Sequence, residues 1–333
     1  MSAVDVNPSR AAIHMTSTGS WVSWGFFGAF SLAALLLLGV CHARPVGQRA
    51  FHHLGVAVLV IASIEYYLQA SNLVWTGVPV EWVRGGDLGA DQVAAGAPYP
   101  PTRAVSYARY VDWTLSTLLL LLMLLLCTGF SLSRIFFALF WDVAMIVSGL
   151  ISALIKTRYK WGIYVIGCAC ILNIVWTLLL PGRASAYSLG PEYGRVYFRS
   201  AFLLSALWLI YAGNVISVDN EVIAYGVLDF FTKVVWITFH LYGVETVDYT
   251  RFGFQSGKVS DGAMYAELAA PPTELATRSG PTSGGTASTF VGGSPAPGNG
   301  GAGSNSLKRK QPPAVTPMEM RPLSAAPGAG MPV

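Results

Sequence analysis

The stretch GVLDFFTKVVW, residues 226–236, sets Lys233 inside a long apolar run, with Asp229 four residues before it. A charged group at bilayer depth costs at least about 2.5 kcal/mol, so it normally sits there with a partner and a task. Residues four apart share a helix face, so the two can meet. A second charged stripe runs through SYARYVDWTLSTLLLLLMLLL, residues 106–126, where Arg109, Asp112 and Ser116 align on one face and Thr117 follows. Taken alone, Asp229 and Lys233 read equally well as a structural ion pair locking a bundle. Together the two stripes give one lysine, one arginine and two carboxylates, the zero balance a low dielectric demands. Lysine is the usual residue for Schiff bases with carbonyl compounds. Two flanking acids suit Lys233 to anchor an aldehyde cofactor whose protonated imine needs counter-ions.

The elements that must hold these groups are membrane helices. The chain has 333 residues, 53% hydrophobic and 11% charged, against roughly 25% charged in an average soluble domain. Apolar runs long enough to cross about 30 Å of hydrocarbon recur near 21–40, 51–75, 104–127, 134–155, 161–180, 193–217 and 221–247. The expected fold is an all-α membrane protein, a bundle of seven transmembrane helices. The first run follows a polar segment, residues 1–20, with no basic n-region and no small-residue cleavage site, and reads as a retained helix. With the N-terminus outside, basic residues tie between the two sides, so the positive-inside rule does not fix the orientation. The net charge of +4 is spread over both sides and the tail, and no nucleic-acid partner is expected. Cys41, Cys127, Cys168 and Cys170 imply neither a disulfide framework nor a metal site.

From about residue 256 the composition turns to Gly, Pro, Ser, Thr and Ala, as in GPTSGGTASTFVGGSPAPGNGGAGSNS. Such a sequence buries too little apolar surface to offset its ordering entropy, so residues 251–333 read as a disordered tail. Its KRK (308–310) reads as a solvated basic cluster or as a targeting or headgroup signal.

RYVDWTLST (109–117) followed by LDFFTK (228–233) resembles the microbial (type I) rhodopsins, and YKWGIYVIGCA (159–169) and GNVIS (213–217) resemble their fungal branch. The resemblance covers about residues 20–250. It implies a bacteriorhodopsin-like, retinal-binding domain over 21–250, an extracellular or lumenal N-terminus and a cytoplasmic tail. All-trans-retinal would be carried as a Schiff base on Lys233. Asp112 matches the primary counter-ion and proton acceptor, and Asp229 the second counter-ion. Arg109 matches the arginine coupling this cluster to the extracellular exit, with Ser116 and Tyr66 beside it. Trp113, Thr117, Met145, Gly149, Tyr164, Trp208 and Tyr211 match the retinal slot, and Asp142 a polar position near its ring end. Glu221 fits the extracellular proton-release carboxylate, or an ordinary acid at a helix start.

The departures bear on function. Where efficient pumps carry an acidic cytoplasmic donor, this chain has Met123, whose thioether cannot donate a proton. Reprotonation from bulk water would lengthen the cycle and make it pH-dependent. The link between the sixth and seventh runs, VDN (218–220), is short, and Ala212 replaces a proline expected there. Glu65, beside Tyr66, either lines the interior and modifies the proton path or is a helix-interface acid held neutral.

The expected activity is light-driven outward proton transfer with slow return. A sensory photoreceptor with a long-lived signalling state is the alternative, for which the tail permits a signalling partner. An ionised Asp112 disfavours chloride pumping, and the triplet Asp112, Ser116, Met123 disfavours sodium pumping. Lys233 with both acids disfavours a retinal-free scaffold. The partners implied are the lipid bilayer, protons and further copies of the chain.

Overall fold

The computed structural model describes residues 2–79, 102–211 and 217–252. A four-residue helix, α1 (Ala3–Val6), precedes α2 (Ser17–Ala43), α3 (Ala50–Ala70), strands β1 (Trp75–Pro79) and β2 (Thr102–Ser106), then α4 (Tyr107–Leu125), α5 (Leu132–Leu154), α6 (Lys160–Leu189), α7 (Pro191–Ile210) and α8 (Val218–Val244). Helices α2 to α8 pack in sequence, each on the next, and α8 returns against α2 to close a ring of seven. Six of them are long and apolar enough to cross a membrane among the described residues. The other, α7, carries Glu192, Arg195 and Arg199 in its first half, which lowers its hydropathy without removing it from the ring.

A helix satisfies its own backbone hydrogen bonds, which is why apolar runs of this length take that form in lipid. Exposed apolar side chains such as Leu35, Phe136 and Leu180 form the outer surface. The core on the inside holds Leu120, Leu121, Leu124, Phe30, Phe51 and Trp236. The protein is an integral membrane protein.

Several boundaries differ from the sequence expectation, for local reasons. The second run stops at Ala70 and the third starts at Tyr107, because the residues between them pair as an antiparallel hairpin with Trp75 opposite Ser106 and Pro79 opposite Thr102. The polar N-terminal segment is tied to this hairpin. Ile13 N donates to Thr102 O at 2.9 Å, and Ala104 N donates to Ile13 O at 2.8 Å. The first helix begins at Ser17, capped by Thr16, whose own hydroxyl donates to Asp219 Oδ2 at 2.5 Å. VDN is not a link but the first turn of α8: Ser217 Oγ accepts from Asn220 N at 3.2 Å. Asp219 and Glu221 lie in that turn, where the helix dipole favours negative charge. Residues 212–216, which include Ala212 and most of GNVIS, and the tail from residue 253 lie outside the described residues.

Two helices contain a widened π turn. In α6 it spans Leu178–Gly182 around Pro181, which lacks an N–H and cannot continue the α pattern. Tyr197 OH donates to Leu178 O at 3.0 Å and satisfies a carbonyl there. In α8 it spans Phe230–Val235 and contains Lys233.

Gly226 lets α2 and α8 meet closely. A Cβ at Gly226 would lie 2.1 Å from Phe26 Cε2, so only glycine accommodates this ring where it stands.

Candidate functional site

Lys233 projects from the π turn of α8 into the bundle and is 2% exposed. Its Nζ donates to Oδ2 of Asp112 on α4, and Asp229 Oδ2 is 3.5 Å away on its own helix. Asp229 is held by three further donors. Tyr66 OH from α3 donates to Oδ2 at 2.9 Å, Tyr211 OH from α7 to Oδ1 at 2.7 Å, and Trp113 Nε1 to Oδ1 at 3.4 Å. Asp112 is less occupied: Oδ1 is buried with no hydrogen-bond partner among the described residues, as is Ser116 Oγ one turn on. The two sequence stripes therefore converge on one buried ion-pair cluster. A buried pair is tolerable only with such geometry and supporting hydrogen bonds.

Toward the hairpin end a second cluster follows. Arg109 Nη1 donates to Glu221 Oε1 and Nη2 to Gln69 Oε1 at 3.1 Å. Strand β2 delivers a second guanidinium, Arg103 Nη2, to Glu221 Oε2 at 2.7 Å. The Arg109 guanidinium also lies over the Tyr225 ring, 4.7 Å from its centroid. Glu221 retains 20% exposure while Arg109 keeps 3%, so the pair spans the step from interior to mouth.

Beside Lys233 an apolar cavity opens between α4, α5, α6, α7 and α8. Trp113, Thr117, Met145, Gly149, Tyr164, Trp208 and Tyr211 line it, and Lys233 with Asp229 supplies the charge at one end. All seven expected slot residues thus border one space. Asp142 stands just behind it, fully buried, accepting from Thr117 Oγ1 at 2.7 Å. On the far side from Arg109, Met123 is fully buried in the core with Leu120, Leu121 and Leu124.

Some residues of the site escaped the sequence reading. Glu221, Tyr225, Asp229 and Lys233 recur every four residues, a stripe in plain view that contains the missed Tyr225. Tyr225 stacks on Tyr211 with centroids 5.8 Å apart and meets Trp113 edge to face. Gln69 follows Glu65 at the same spacing. Arg103 had no such signal, because the hairpin brings it in. Below the lysine, Trp236 stacks on His240 at 4.9 Å and donates to Ser200 O at 2.8 Å, and His240 Nε2 lies 3.8 Å from Cys127 Sγ.

Glu65 is resolved in position. It is 2% exposed, and one carboxylate oxygen of each of Glu65, Asp112 and Asp229 lies within 4.8 Å of the others.

An apolar slot bordered by aromatic rings, with Lys233 and Asp229 on its wall and Asp112 ion-paired to that lysine, fits a long polyene aldehyde, and the comparisons agree. Residues 16–247 match the family described as bacteriorhodopsin-like protein. Protein FDD123 of Trametes versicolor is 37% identical over 273 residues, covering 80% of this chain and 91% of that protein. Opsin-like protein carO of Fusarium fujikuroi is 35% identical, covering 75% of this chain and 81% of its own. Among solved structures, the light-driven proton pump Coccomyxa subellipsoidea rhodopsin CsR superposes with a TM-score of 0.62 at 30% identity, covering 69% of this chain and 98% of that one. The cofactor is retinal, carried as a Schiff base. With the matched region running through all seven helices, the chain belongs to the bacteriorhodopsin-like family of microbial rhodopsins, with fungal opsins among its relatives.

Proposed function

We propose that this protein is a light-driven outward proton pump of slow turnover, with Lys233 as the retinal attachment site and its N-terminus on the extracellular or lumenal side. The observation that carries the reading is the ion-paired lysine between Asp112 and Asp229 at the end of the apolar slot. The likeness to the light-driven proton pump of Coccomyxa subellipsoidea supports it.

Retinal bound at Lys233 supplies light-driven isomerisation. The protein's own groups decide where a proton goes. Three donors besides Lys233 hold Asp229, whereas among the described residues Lys233 alone donates to Asp112, so Asp112 is the acid that accepts the proton. Arg109, fixed on Gln69 and Glu221, links that acid to the mouth. Glu221, bound by two guanidinium groups and partly exposed, marks the mouth through which the proton leaves. Trp113, Trp208 and Tyr211 shape the slot, while Thr117 with Asp142 closes its wall. The return path is apolar. Met123 stands where a carboxyl donor would be, so the proton comes from the cytoplasmic bulk and its uptake limits the cycle.

The same buried Met123 favours a second reading, a photosensor whose long-lived state is read by a partner, with the tail as its contact. Proteoliposomes reconstituted with all-trans-retinal separate the two. The pump reading expects a visible band that requires Lys233 and a steady light-driven pH change. A Lys233-dependent band with no net transport means the sensor. Absence of any band in the wild type overturns both.

A further inference from the structure

We propose that Glu65 holds a proton in the dark and shares it with Asp112, acting as a positioning residue that sets how readily Asp112 takes up a proton of its own. The inference rests on the Asp112 role proposed above. Three observations support it.

The first is charge. Lys233, Arg109 and Arg103 carry three positive charges, and Asp112, Asp229 and Glu221 already answer them with three negative ones. A fourth carboxylate, 2% exposed, would stand uncompensated in a low dielectric, which is the costly case. Glu65 therefore belongs in its neutral form.

The second is the set of open valences. Both oxygens of Glu65 and Oδ1 of Asp112 are buried without a hydrogen-bond partner among the described residues. A carboxyl of Glu65 and a carboxylate of Asp112 within 4.8 Å of each other repair both at once when one proton lies between them. The gap suits a small side-chain rotation or a single bridging water.

The third is the surroundings. From α4, Glu65 faces Arg109 and Asp112, and from α8, Asp229 and Lys233; Tyr66 adjoins it on α3. The titratable groups of α2, Cys41 and His42, lie at that helix's other end. Tyr66 already donates to Asp229, which leaves Asp112 as the acceptor for the Glu65 proton.

The consequence has a sign. A neutral donor at position 65 stabilises the Asp112 anion, so losing the donor moves Asp112 protonation to higher pH. Glu65→Gln keeps a neutral donor and Glu65→Leu removes it. In the retinal-loaded protein, the acid-induced colour change should keep its midpoint in Glu65→Gln and move up by about one pH unit or more in Glu65→Leu. Infrared difference spectra of the retinal-free protein at neutral pH, wild type minus Glu65→Gln, should show the protonated-carboxyl band of Glu65, with any contribution of Asp142 cancelling.

If Glu65 is instead ionised, the band is absent and Glu65→Gln shifts the absorption to longer wavelength; either result overturns the proposal. A midpoint unchanged in Glu65→Leu also overturns it, even where that variant is less stable. Because the infrared band needs no pigment, it still decides the state of Glu65 if the retinal reading fails.

Discussion

The Tyr66 hydroxyl donates to Oδ2 of Asp229 at 2.9 Å, joining α3 to α8 at the level of the lysine. A hydrogen bond to a charged acceptor is worth about 1.5–3 kcal/mol. Tyr66→Phe should lower stability by roughly that amount, read as a drop in thermal midpoint in detergent. The Oδ2 atom it frees lies 3.5 Å from Lys233 Nζ. With that donor gone, Asp229 should bind the positive charge more strongly and move the visible band to shorter wavelength. An unshifted band would mean that Tyr211 and Trp113 alone fix Asp229.

Removing one partner of a buried ion pair costs about 3–5 kcal/mol, because the other charge stays behind. Lys233→Ala strands Asp112 and Asp229 together, both almost fully buried. The retinal-free Lys233→Ala protein should therefore be less stable than wild type by roughly that margin. Adding Asp112→Asn should restore part of the loss. Unfolding midpoints of the single and double variants check this: a double variant no more stable than Lys233→Ala would show that Asp112 is not the charge Lys233 compensates.

The pattern of what sequence could and could not disclose follows from range. Asp229 and Lys233, or Arg109 and Asp112, sit within one or two turns of a helix, so spacing alone placed each pair on a face. Lys233 meeting Asp112 spans 121 residues; it was inferable because buried charge must balance. Arg103 on Glu221 spans 118 residues and had no such constraint, since both groups sit near the mouth, where water can solvate either. The hairpin was hidden for a similar reason. Apolar Leu73, Val74 and Trp75 on one side and Ala104 and Val105 on the other continue the helical runs in composition, and only the pairing of Trp75–Pro79 with Thr102–Ser106 makes the latter two segments strands. The position of Glu65 was open because a lone acid in an apolar run is consistent with either face until its neighbours are known.

Met123 is fully buried among leucines, so a carboxyl placed there would be shielded from bulk water, as an internal donor must be. Met123→Asp should speed recovery of the visible band after a flash. In the wild type, uptake from bulk makes recovery slow as pH rises, because the reacting proton becomes scarcer. In Met123→Asp that dependence should flatten wherever the new carboxyl is protonated before each turnover. Flash photolysis across pH reads both. A wild-type recovery that is fast and independent of pH would show that another group already donates. His240, buried beside Cys127 and stacked on Trp236, is the first residue to replace in that event.

Gly226 is the point where packing reaches the charged cluster. Phe26 occupies the space a side chain at position 226 would need, and its ring lies 5.3 Å from that of Tyr66, which in turn holds Asp229. Gly226→Ala must displace the Phe26 ring, and overpacking of this kind costs about 1–3 kcal/mol. The displaced ring would press on Tyr66, so the variant should also shift the absorption band in the direction of Tyr66→Phe. Combining Gly226→Ala with Phe26→Leu separates the two effects, since the smaller side chain makes room without touching the carboxylates. The double variant should recover both the wild-type band and part of the stability. A band shift that persists with the clash relieved would place its origin in α8 itself, one turn before Asp229, and not in the path through Tyr66.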